Sequence, residues 1–90
     1  MDLQGLREEI DSIDYTLLEV IAKRLTVSSM IGEFKKRRGM QIRNRKRELL
    51  LIEDRSRKFK ELGFNDPDFV AEIFELLMKK SRKVQSDDNA

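Results

Sequence analysis

The sequence predicts an all-α chain of three helices, and three features of it do so. Large apolar residues recur with the 3-4-3-4 spacing of a helix through the first third of the chain. No segment alternates apolar and polar residues as a half-buried strand does. Glycines at 39 and 63, and the pair Asp66-Pro67, stand where helices stop and start.

The first helix begins after Asp2, a suitable N-cap, and ends at Gly39. Its stripe runs Leu3, Leu6, Ile10, Ile13, Leu17, Val20, Arg24, Val27, Ile31, Phe34. Gly5, Thr26 and Val27 are mildly unfavourable in a helix, but the sustained stripe outweighs them. A helix from Leu3 to Arg38 is roughly 54 Å long at 1.5 Å per residue. A compact chain of this size is only about 30 Å across. The helix must therefore bend or pack against a second copy, and the expected assembly is an intertwined helical homodimer.

Asn44 caps a second helix that presents Leu49, Ile52, Phe59 and Leu62 inward and stops at Gly63. Asp66 and Pro67 supply an N-cap acid and a first-turn proline for the third helix. That helix turns Val70, Phe74, Leu77 and Val84 inward, with Ile73 and Met78 at the flanks. Residues 1–85 form a single domain and 86–90 a polar, disordered tail.

Arg24 is the one charge in an otherwise apolar stripe, which directs it toward the interior of a helical assembly. A charge there is costly unless it is paired. A protein carboxylate could neutralise it, an anionic ligand could, or the residue could serve only to fix the register of a coiled coil.

Composition narrows the chemistry. The 90 residues contain no cysteine and no histidine, which removes thiol chemistry, the commonest general base and the usual transition-metal ligands. No metal and no cofactor is expected. The chain is 40% charged with net charge +2, and it lacks a run of about 20 apolar residues that could cross a membrane. The expected address is the cytoplasm. Lys35, Lys36, Arg37, Arg38, Arg43, Arg45, Lys46 and Arg47 crowd one stretch, as a nucleic-acid patch or a small-anion site would require.

Polar residues accompany the buried face of every helix. Arg24 and Lys35 lie close to three turns apart, roughly 16 Å, on nearly one face. Arg7 is rotated roughly 100° from Arg24 on a straight helix, so it joins such a cluster more readily in a partner chain. Asn44, Arg47 and Glu48 share a face of the second helix, while Ser81 and Gln85 continue the stripe of the third. Three arginines, a lysine, one carboxylate and neutral hydrogen-bonders suit a small dianion bearing a hydroxyl group.

In order, the segment Leu6-Arg7-Glu8-Glu9-Ile10-Asp11-Ser12-Ile13-Asp14, Leu17-Leu18, Arg24, Gly32 with Lys35, Arg47-Glu48, and Phe74 ahead of Ser81 and Gln85 resemble the all-helical class of chorismate mutase. The resemblance covers essentially the whole chain. It implies a homodimer of three-helix protomers that converts chorismate to prephenate on the way to phenylalanine and tyrosine. It also implies that Arg24 and a partner's Arg7 clamp the two substrate carboxylates, and that Lys35 and Gln85 meet the ether oxygen. Glu48 with Asn44 would hold the ring hydroxyl, Arg47 and Ser81 would complete the polar wall, and Ile31 and Met78 would line it. The family often carries aspartate where this chain has Asn44.

Such a rearrangement breaks one C–O bond as one C–C bond forms. It needs positioning and stabilisation of charge on the ether oxygen, without nucleophile, metal or general base. An isochorismate pyruvate lyase is the nearest alternative, and Glu48 favours the mutase over it. A basic helical dimer binding nucleic acid is a further alternative, but the stretch from Lys35 to Arg47 lacks interleaved aromatics and a DNA-binding motif.

Overall fold

A computed structural model describes residues 2–86. Three helices follow one another: α1 (Leu3–Arg37), α2 (Arg45–Glu61) and α3 (Pro67–Ser86). Each begins on the cap its sequence provides. The Asp2 carboxylate accepts from the Gly5 N–H at 2.7 Å, the Asn44 Oδ1 from the Arg47 N–H at 3.0 Å, and the Asp66 carboxylate from the Phe69 N–H at 3.2 Å. These bonds satisfy backbone donors that have no intrahelical acceptor. Gly39 and Gly63, at φ +64° and +106°, reverse the chain after α1 and α2 in a region L side chains rarely adopt. Ser86, expected in the tail, is the last residue of α3 instead, and residues 87–90 lie outside the described residues.

α3 packs against both α1 and α2, whereas the backbones of α1 and α2 do not approach one another. The first half of α1 projects beyond this contact. The molecule measures 54 × 28 × 15 Å, and its radius of gyration of 16.1 Å exceeds the roughly 12 Å of a compact chain of this length. Leu6, Ile10, Ile13, Leu17 and Val20 are accordingly exposed, and so are Val27, Ile31 and Phe34 further along. The fully buried face of α1 is thus not centred on the stripe. That face is an adjacent row of small residues, Ser28 and Gly32, both buried.

The other helices also differ in detail from their expected faces. On α2 the buried residues are Glu48 and Leu51, with Ile52 and Phe59 half-buried, while Leu49 and Leu62 are exposed. The run Leu49-Leu50-Leu51-Ile52 is apolar all round, so spacing could not select the face that meets α3. On α3, Met78 is buried rather than flanking, together with Val70 and Ser81. Phe59 stacks on Phe64 with centroids 5.3 Å apart and lies 6.0 Å from Phe69, which secures the turn between α2 and α3. Beside it an apolar groove of about 410 Å³ opens, lined by Phe59, Leu62, Phe69, Ile73 and Phe74 among others.

Gly32 sets the distance between α1 and α3. A Cβ there would stand 2.7 Å from Gln85 Cα and 2.9 Å from Gln85 O, both backbone atoms that no rotamer change can move. Gly32→Ala would gain about 1 kcal/mol of helix propensity. Overpacking costs about 1–3 kcal/mol and more where the clash meets backbone, so the clash prevails. A net loss of about 1–2 kcal/mol is expected in chemical denaturation. An unchanged or raised midpoint would show that the helices can part without cost.

Candidate functional site

The packing of α3 against its two neighbours leaves a cavity of about 420 Å³ where all three helices contribute side chains. From α1 come Arg24, Val27, Ser28, Ile31 and Lys35; from the connection, Ile42 and Asn44; from α2, Arg47, Glu48 and Leu51; and from α3, Met78, Ser81, Arg82 and Gln85. Arg24, Lys35, Asn44, Arg47, Glu48, Ser81 and Gln85 are therefore gathered around one space. Arg7 is not. It stands on the projecting half of α1, about 25 Å from Arg24 along the helix.

Arg24 is half-buried, and its only hydrogen bond among the described residues runs from Nη1 to Ser81 Oγ at 2.7 Å. No described carboxylate pairs with it. Burial first, and then the positive charges of Arg55 and Arg47, pull its pKa below the ordinary guanidinium value. The group stays charged at neutral pH, because guanidinium pKa values are too high for these effects to neutralise it. Ser81 Oγ also accepts from Ser28 Oγ at 3.0 Å. With both acceptor positions occupied, its own O–H is left to donate.

Lys35 donates from Nζ to Ile42 O at 2.7 Å, which ties the end of α1 to the connection and leaves two ammonium protons for other partners. Gln85 reaches in from the last turns of α3, and its Oε1 is buried with no hydrogen-bond partner among the described residues.

Glu48 is the sole carboxylate of the lining and is buried at 8% exposure. Arg43 Nε and Arg45 Nη1 each lie 3.3 Å from its Oε1, and Arg82 Nη1 lies 2.5 Å from its Oε2. Burial alone would raise its pKa. The hydrogen bond and charge of Arg82, with those of Arg43, outweigh that and hold the carboxyl below its ordinary value. Glu48 is thus ionised at neutral pH.

Much of the basic stretch is engaged locally. Arg43 and Arg45 face Glu48, Lys35 holds the connection, and Arg38 lies over the Phe34 ring at 4.6 Å. Sequence reasoning missed Ser28 and Arg82. Ser28 was findable, since it follows Arg24 by one turn on the same face. Nothing local distinguishes Arg82, the one arginine of α3, from the neighbouring cations Lys79, Lys80 and Lys83. Among the described residues no cluster of His, Cys, Asp or Glu could hold a metal ion, and no helix is long and apolar enough to cross a membrane.

Four cations (Arg24, Lys35, Arg47 and Arg82) thus face one carboxylate around a space of small-molecule size. Residues 6–86 match the family described as chorismate mutase type II. The chain is 34% identical over 86 residues to the T-protein of Enterobacter agglomerans, covering 96% of this chain and 23% of that one. It is 31% identical over 83 residues to the chorismate mutase of Methanocaldococcus jannaschii, covering 92% and 83%. It is 26% identical over 84 residues to the 4-amino-4-deoxychorismate mutase of Streptomyces venezuelae, covering 93% and 81%. The chain spans less than a quarter of the length of the T-proteins it matches. No solved structure matches it. With the match running from the first turns of α1 to the last residue of α3, the chain belongs to the type II chorismate mutase family.

Proposed function

We propose that this chain is a chorismate mutase that rearranges chorismate to prephenate in the biosynthesis of phenylalanine and tyrosine. The observation behind the proposal is the cavity itself, where Arg24, Lys35 and Arg47 converge without a described carboxylate to neutralise any of them. A dicarboxylate supplies the missing charge. Arg24 grips one substrate carboxylate, with Ser81 and Arg47 completing that polar wall. Lys35 and the Gln85 amide donate to the ether oxygen as negative charge grows there. Glu48, with Asn44, accepts the ring hydroxyl. Ile31 and Met78 close the apolar side and hold the enolpyruvyl arm over the ring. Asparagine at 44 can still accept a hydrogen bond, although its Oδ1 already caps α2.

The test is direct. Purified protein should consume chorismate and release prephenate, and should not release pyruvate from isochorismate. Pyruvate release without prephenate formation would make it a lyase, and inertness toward both would end the proposal. The cytoplasm is the inferred compartment, in keeping with a chain that has no cysteine for the disulfides of an oxidising one.

The active unit is proposed to be an intertwined homodimer in which Arg7 of one protomer completes the clamp of the other. Two features support it: the bare apolar stripe of the projecting half of α1, and the groove of matching character between α2 and α3. Each offers the other the burial that neither finds within its own chain. Mixing inactive Arg7→Ala and Arg24→Ala protomers should then restore activity, because one site of each heterodimer carries both defects and the other none. After random exchange the recovery is about a quarter of wild type. No recovery after verified subunit exchange would exclude a shared site.

A further inference from the structure

We propose that Arg82 is a positioning residue that, with Arg43 and Arg45, fixes the Glu48 carboxylate in one orientation and leaves it a single acceptor direction for the ligand hydroxyl. The inference rests on the chorismate mutase reading and deepens it at one subsite.

A carboxylate offers about four acceptor positions. Two on Oε1 face Arg43 Nε and Arg45 Nη1, and one on Oε2 is taken by Arg82 Nη1. One therefore remains, on the oxygen that Arg82 holds. The three arginines are not equivalent. Arg43 and Arg45 are largely exposed, belong to the connection and the first residue of α2, and sit at 3.3 Å. Arg82 is more enclosed, reaches across from α3, and makes the shortest contact. It thus ties the carboxylate to the helix that also carries Ser81 and Gln85, so that ring and ether contacts keep a fixed spacing. The other charged groups facing this space are Arg24 and Lys35 from α1 and Arg47 from α2. All are cationic and favour the ionised carboxylate, but none has a hydrogen bond to it.

The experiment follows the Glu48 carboxyl directly. Its carbon-13 resonance is titrated in wild type, Arg82→Gln and Arg82→Lys without substrate, and kcat/KM for chorismate is measured across the same pH range. In Arg82→Gln the Glu48 midpoint should rise by about one pH unit. The acid limb of kcat/KM should move up with it, and kcat/KM at neutral pH should fall roughly tenfold. Arg82→Lys should lie between the two proteins, since an ammonium restores charge without the fork. The substrate's own carboxylates contribute a limb common to all three. An unmoved Glu48 midpoint in a folded Arg82→Gln would overturn the proposal, as would a moved midpoint with an unmoved acid limb. Should Arg82→Gln not fold, Arg82→Lys is read alone, and a midpoint and limb identical to wild type count against the positioning role. A wild-type protein inert toward chorismate sinks the activity reading instead, and does so without altering the Glu48 titration.

Discussion

Arg24→Ala is expected to abolish detectable conversion of chorismate while leaving a folded helical protein. Loss of a charged donor aimed at a substrate carboxylate costs about 3–4 kcal/mol in the transition state, roughly a 10²–10³-fold fall in kcat/KM. Folding should not suffer. Within the chain Arg24 gives up one hydrogen bond to Ser81 and is repelled by Arg55 and Arg47, so its removal relieves as much as it forfeits. Kinetics with circular dichroism on the same sample read both halves. Turnover above about a tenth of wild type would contradict the clamp, and a loss of helicity would make Arg24 a structural residue.

Gln85→Glu should carry the next largest effect, and its signature is a pH profile. An amide donates to the ether oxygen at any neutral pH, whereas a carboxyl group donates only when protonated. Ionised, it opposes the charge that develops there, so kcat/KM near pH 7 should fall by about 10²-fold or more. Activity should return as pH drops. The new carboxyl is pulled in two directions: burial in the place of the Gln85 amide raises its pKa, and the cations Arg24, Lys35, Arg47 and Arg82 lower it. The pH of recovery measures the balance. Wild type should show no such rise, and superimposable profiles from two folded proteins would remove Gln85 from the chemistry.

The comparison with Gly32 shows why an outwardly peripheral residue can matter. Gln85 sits near the end of α3, where a glutamine is easily read as a solvated helix end. Its backbone is pressed against Gly32 of α1, so closely that a methyl group does not fit between them. The main chain that carries the amide is therefore fixed by packing, and Oε1 is buried without a bond of its own among the described residues. A residue so placed is aimed by the helix pair.

Local signals in the sequence were sufficient for the helices themselves. Asp2, Asn44 and Asp66 accept from the backbone donors that their positions predicted, and Gly39 and Gly63 adopt positive φ where the helices stop. These features depend on residues within one turn of each other, so the chain order alone determines them. The same is true of the polar set along the three helices, because helical phase fixes which side chains share a face. Tertiary structure alone decided how those faces meet. It chose the Ser28–Gly32 row over the apolar stripe for the contact of α1 with α3, and Glu48 and Leu51 over Leu49 for the contact of α2. It also brought Arg82 onto Glu48 across 34 residues of chain. Such choices rest on the fit between surfaces distant in sequence, where a backbone clash of a few tenths of an ångström or one part-buried ion pair outweighs periodicity, and no local pattern encodes that fit.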